Sequence, residues 1–122
     1  AVRYPLDKVE NGWVGLSEIS LHGDQVYIIE RDNQIGAAAQ IKKIFKVAVA
    51  DLKPAKLDGP LPTVSKVEVR DLLPDLRSMG GYVLDKVEGL TFDSTGTGYV
   101  ITDNDGVDDS NGETIFWSIG KL

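Results

Sequence analysis

Apolar and polar positions alternate in short runs along most of this chain, the period-two signature of strands. Leu16 to Leu21 reads as a short strand, and "HGD" (His22 to Asp24) as a turn. "QVYIIE" (Gln25 to Glu30) is a continuous apolar run, expected of a strand covered on both faces. "RDNQIGAAAQ" follows as a loop with a flexible, small-residue tip. Ile41 to Val49 alternates at Phe45, Val47 and Val49, and Val64 to Val69 alternates again. Between them lies a proline-rich connection, "DLKPAKLDGPLP". Asp71 to Met79 has the makings of a short helix, with Asp71 as its cap, Pro74 in its first turn and Gly80-Gly81 at its end. Gly89 to Phe92, the turn "DSTGTG" and Tyr99 to Thr102 form a hairpin, and Thr114 to Ile119 is the last strand. Val26 to Ile29 and Tyr99 to Ile101 are expected among the most buried runs. Ala1 to Gly12 is an irregular leading segment.

The order of elements contains an echo. "SEISLHGDQVYIIERDN" (Ser17 to Asn33) lies over "VEGLTFDSTGTGYVITDND" (Val87 to Asp105). Each has a Glu, a short strand, a turn, a stronger strand, then an Asp/Asn pair. Glu18 and Glu88 lead the two units; Asp32-Asn33 and Asp103-Asn104 close them. A longer loop and a third strand follow each time, and the first unit adds a fourth. The alternative is a chance likeness between two hairpins of a sandwich. Repeated antiparallel meanders of this size predict an all-β fold built as about two blades of a β-propeller. A propeller ring needs roughly four to eight blades, so the expectation is a fragment of a larger propeller, or a piece completed by assembly.

Composition narrows the class. The 122 residues suffice for one small domain with a core. The net charge of -6 argues against a nucleic-acid footprint, and no apolar run reaches membrane-spanning length. There is no Cys, which excludes thiolate zinc sites, disulfides and a Cys nucleophile. Ala1 to Glu10 carries acids and no apolar core, unlike a signal peptide.

The chemistry concentrates in "TDNDGVDDSNGE", Thr102 to Glu113, which holds acids and no Lys or Arg. A Ser-His-Asp hydrolase is disfavoured: "GLSEI" lacks the second glycine of a serine elbow, and His22, the single histidine, falls in a hairpin turn at the surface. Calcium takes six to eight oxygen ligands, and this loop offers many, though in no EF-hand register. Asp103, Asn104 and Asp105 follow directly from what reads as an inner propeller strand and can face the channel mouth, as cation or substrate ligands. Asp108 and Asp109 read better as solvated turn residues. Glu18 and Glu88 are the other candidate metal carboxylates; the alternative is that they accept hydrogen bonds between blades. In an antiparallel hairpin Glu88 should lie near Asp103 and Asp105, and Glu18 near Asp32. Arg31, Lys42 and Lys86 are the candidate anion binders, Arg31 foremost because its planar fork matches phosphate, unless each pairs with a neighbouring acid. Trp13 and Trp117 read as blade-packing aromatics.

The set "YPLD", "GWVGLSEI", "IERDNQIGAAAQIKKIF", "VRDLLPDL", "DKVEGLTFD" and "VITDNDGVDDSNGET" resembles the phytase-like family described as having esterase-like activity. The likeness runs from Tyr4 to Leu122 and fits the C-terminal part of that family's domain. It implies residues 15–70 as a first blade and 85–122 as a second, incomplete one. It also implies a phosphoester or other ester substrate and a periplasmic or secreted location; calcium is the cofactor that the oxygen-rich acidic loop suggests. The partners expected are a second copy, as a homodimer, or the missing blades. Two other functions fit the same scaffold: a non-catalytic segment that binds a ligand or a protein, and a metal-dependent lactonase.

Overall fold

A computed structural model describes residues 1–79, 82–84, 86–104 and 113–122. It is all-β, with one short α-helix and two 3-10 turns among the described residues. β1 (Val14–His22), β2 (Gln25–Asp32), β3 (Lys42–Ala48) and β4 (Val67–Asp71) form a four-stranded antiparallel meander. β5 (Val87–Phe92), β6 (Thr97–Thr102) and β7 (Phe116–Lys121) form a three-stranded one. Helix α1 (Leu73–Ser78) lies between them in the chain. These are the two meanders expected, in sequential order and without crossovers.

The register explains the burial pattern. In β2 every second residue faces one side. Tyr27 and Ile29 join Ile44, Leu72, Leu76 and Val83 on the side that meets Val87, Leu90 and Val100 of the second sheet. Val26 and Ile28 point the other way, with Val47 and Val64, beneath Val2 and Tyr4 of the leading segment. β2 is therefore covered on both faces, which is why its apolar run does not alternate. Ile29 and Ile44 are fully buried, and truncating either to Ala would cost about 2–5 kcal/mol.

β1 faces β5 across the seam. The Ser17 hydroxyl donates to the Val87 carbonyl at 2.6 Å, and the Ser20 hydroxyl donates to that of Leu90. Arg70 ties the seam at the far side: it holds Asp75 of α1 through two parallel bonds of 2.8 and 2.7 Å and donates to the Ile119 carbonyl at 3.1 Å. The outer face carries its own polar knot. Buried Glu30 accepts from the Asp7 amide at 2.6 Å and from the Lys66 ammonium at 2.7 Å, and Lys66 also meets Asp7 at 2.7 Å. The Tyr4 hydroxyl faces Glu30 without closing a hydrogen bond of ordinary geometry; burial first, then the Glu30 carboxylate, raise its pKa. This knot pins the leading segment to the sheet, where "irregular" was all the sequence said of it.

Several local expectations change. The fourth strand begins at Val67, because Val64 is drawn instead to the leading segment, its amide donating to Arg3 at 2.9 Å. The expected cap is displaced by one position: Leu72 is the N-cap of α1 and makes no side-chain cap, while Asp71 before it accepts from the Leu73 amide at 3.0 Å; Pro74 is in the first turn, and the proposed glycine stop lies outside the described residues. The loop tip Gly36–Ala38 is a short 3-10 turn docked on the rest of the chain, with the Gly36 amide donating to Val83 at 2.8 Å. In β6 only Val100 of the run Tyr99 to Ile101 is buried; Ile101 is exposed, because the second sheet is covered on one face. His22 is not a surface turn residue. It ends β1 and stacks on Phe92 of the second sheet with centroids 4.6 Å apart.

Candidate functional site

The end of the seam where β2 finishes and β5 begins gathers most of the candidate residues. A β-bulge sets up the geometry on each side. In β1 the pairing with β2 shifts between Leu16 and Glu18; in β5 the pairing with β6 shifts between Val87 and Gly89. The extra residue is Ser17 in the first strand and Glu88 in the second. The sequence echo is thus displaced by one position: Glu88 corresponds to Ser17, not to Glu18. A bulge re-aims a side chain out of the ladder. It turns Ser17 toward the Val87 carbonyl and places Glu88 against Arg31.

Arg31 is the central cation. Its Nη2 donates to Glu88 Oε1 at 2.6 Å, and the indole of Trp13 lies over its guanidinium, 5.4 Å from charge to ring centroid. Its side chain is 8% exposed. Lys86 and Asp103 are brought together by the hairpin, the Asp103 amide donating to the Lys86 carbonyl at 2.8 Å. Glu88, Asp103 and Asn104 thus share one end of the second meander, as antiparallel pairing requires. Asp105, Asp108 and Asp109 lie outside the described residues. β6, which carries this acid-rich end, is the middle strand of its sheet rather than an inner one; β5 is the strand that faces β1.

Two candidates sit elsewhere. Lys42 is wholly buried, and its ammonium donates to Asp32 Oδ1 at 2.9 Å, the Asp32 carbonyl at 2.8 Å and the Gln34 carbonyl at 2.9 Å. That is a structural cation at the neck of the loop, not a side chain offered to substrate. Asp32 is equally engaged: its carboxylate also accepts from the amides of Gln34, Gln40 and Ile41 at 3.2, 2.6 and 2.9 Å. Burial pushes the Asp32 pKa up. The Lys42 hydrogen bond, the two amides of Gln40 and Ile41 and the Lys42 charge outweigh it, so the carboxyl titrates below its ordinary value. Asp32 therefore does not converge with Glu18, which pairs with Ile29 while Asp32 pairs with Val14. Glu18 lines an open, largely apolar groove of about 290 Å³ with Leu16, Ile19 and Ile28, and its carboxylate accepts from the Ile19 amide at 2.8 Å.

Calcium is tested by the same geometry. Among the described residues no three acids gather as a ligand set, and Glu88 is already neutralised by Arg31. The described residues alone do not compose a calcium site.

Sequence reasoning missed what surrounds Arg31. Trp13 is half exposed and covers a cation, where blade packing was expected; Trp117 does pack against the core. The signal was present in "GWVG", a large ring between two glycines.

The sequence profile of the family described as "Phytase-like: Esterase-like activity of phytase" matches residues 1–106. The chain belongs to this family. The phytase-like match covers the first meander and β5 and β6 of the second and ends within the acid-rich loop, short of β7, and the two sheets are consistent with blades of that family's β-propeller. No curated protein and no solved structure matches the chain.

Proposed function

We propose that this phytase-like chain supplies part of a metal-assisted phosphoester-hydrolysing site, centred on the seam end that holds Arg31, Lys86, Glu88, Asp103 and Asn104. Membership of a family described by esterase-like activity is the observation that carries this reading. The geometry agrees with it in kind. A guanidinium and an ammonium-bearing residue stand beside acids at the end of two packed meanders, the mix that a cation-bridged phosphoryl group requires. The described residues gather no three acids as a ligand set, so on this reading a cation's ligands would include acids beyond them. The same reading implies an exported protein.

A second reading has its own support. Arg31 is almost wholly buried and already paired, which favours a seam that stabilises a binding module over one that turns over substrate. One experiment separates these. The chain is assayed on an aryl phosphate, an aryl carboxylic ester and a lactone, with calcium and with a chelator, while its melting temperature is followed. Calcium-dependent phosphate-ester turnover supports the first reading. Lactone turnover alone moves the assignment to a lactonase. No turnover under any condition supports the binding module. A calcium-induced rise in melting temperature should shrink when Asp103 and Asp105 are both changed to Asn, and should persist when Asp108 and Asp109 are. Equal losses would mean diffuse acidity and no site.

A further inference from the structure

We infer that Asn33 is a positioning residue for the Arg31 centre, acting through Trp13, and that Gly12 and Gly15 make the seat in which this works. The inference rests on the reading of the seam end as a site for a phosphate ester.

The seat is built from three contacts. The Trp13 amide donates to Asn33 Oδ1 at 3.0 Å, and the Asn33 amide donates to the Trp13 carbonyl at 3.2 Å. These two bonds clamp the backbone of Trp13 to the end of β2. Gln34 Nε2 donates to the same Asn33 oxygen at 3.0 Å, which fixes the orientation of the amide. Gly12 has φ +79°, and a Cβ there would lie 2.0 Å from Asn33 Oδ1. Only glycine allows both that backbone conformation and that approach. On the other side, a Cβ at Gly15 would lie 2.8 Å from Cζ3 of the Trp13 ring. The indole therefore lies flat across the start of β1 and over Arg31, in a space that two missing side chains provide.

The consequence is electrostatic. An indole over a guanidinium attracts it and excludes water from that face. Asn33 is itself held next to Asp32, whose carboxylate and partner Lys42 are buried. A rigid, desolvated neck thus fixes Asn33, Asn33 fixes Trp13, and Trp13 sets the environment of Arg31. A charge with one face dry acts at lower effective dielectric and pulls harder on a phosphoryl oxygen. Loss of the seat should weaken phosphate affinity about threefold to tenfold, the range of a cation–aromatic contact.

The test uses the chain with Trp117→Phe, so that Trp13 is the sole indole. Asn33→Ala removes the oxygen acceptor; Gly15→Ala disturbs the ring with Asn33 intact; Gln25→Ala is the control, since that side chain lies at the opposite end of β2 and bonds Asp24. Fluorescence anisotropy decay reports whether the ring is held. KM and kcat for an aryl phosphate report the site. The expected result is a freed ring and a threefold to tenfold higher KM in both Asn33→Ala and Gly15→Ala, with kcat within about twofold and Gln25→Ala unchanged. An unchanged KM with a freed ring overturns the inference, as does a ring that stays held in Asn33→Ala. If the parent chain hydrolyses no phosphate ester, the reading of the site as catalytic fails. The positioning role is then judged by inorganic phosphate binding followed through Trp13. Weaker binding in both variants supports it; equal or absent binding overturns it.

Discussion

Arg31 and Glu88 meet at 2.6 Å across the seam between the two meanders, although 57 positions separate them in the chain. Neither belongs to the other's sheet, so the contact reports the packing of one sheet on the other. Its energy depends on an asymmetry: the arginine side chain is buried and the glutamate is 33% exposed.

Glu88→Gln should therefore destabilise the fold by about 1–3 kcal/mol, because a nearly buried guanidinium loses its charged acceptor. The value falls short of the about 3–5 kcal/mol expected for a fully buried pair, since water reaches Glu88. Urea midpoints of the wild type and the variant measure it. A change below about 0.5 kcal/mol would show that the pair contributes as little as an exposed one.

Lys42→Met should cost more, about 3–5 kcal/mol. It strands the buried Asp32 carboxylate and two carbonyls while keeping the volume of the side chain. The loop 33–41 should then open first, read as faster amide exchange at Gln40 and Ile41, whose N–H groups bond Asp32. Uniform loss of protection over both sheets would contradict a local role.

Acid should weaken the fold in a defined window. The Asp32 carboxyl is held below its ordinary value. Asp93 is lowered to about 2, chiefly by the Thr95 hydroxyl, with the Thr97 and Thr95 amides and the Tyr99 hydroxyl adding to it. Both groups have folded pKa values below their unfolded ones. Their stabilisation is present above about pH 4 and is lost as pH falls through the folded values. The melting temperature should drop between about pH 4 and pH 2, and Asp93→Asn should flatten that drop. Parallel curves for the two proteins would remove Asp93 from the account.

The outer faces should associate. Ile19 and Leu21 on β1 are 66% and 68% exposed, and Phe116 on β7 is 63% exposed. Apolar strips on open sheet faces favour contact with another sheet. Sedimentation velocity of the chain should show self-association that grows with concentration, and Ile19→Asp or Phe116→Asp should each reduce it. A monomer at every concentration would exclude association of this chain through these faces.

The strand order, the two meanders and the short helix were all legible, because side-chain period and turn residues are local properties. The continuous run in β2 announced a strand covered on both sides, and Gly89 to Thr102 read directly as a hairpin. That Glu88 and Asp103 share one end of the second meander also followed from the sequence, since antiparallel neighbours are fixed by where a hairpin turns. What sequence could not supply is how one sheet meets the next. A bulge shifts the alternation by one residue, so that Val87 and Leu90 face the core three positions apart, and in so short a strand the shift was not read: Glu88 was aligned with Glu18 when its counterpart is Ser17. Charged residues near the ends of strands looked alike as letters. Burial then divided them: Lys42 closed on Asp32 inside the fold, Arg31 crossed the seam to Glu88, and Glu18 stayed in a groove of its own. The tertiary structure decided these partnerships, because the free energy of a charge depends on the depth at which it lies and on what it meets there.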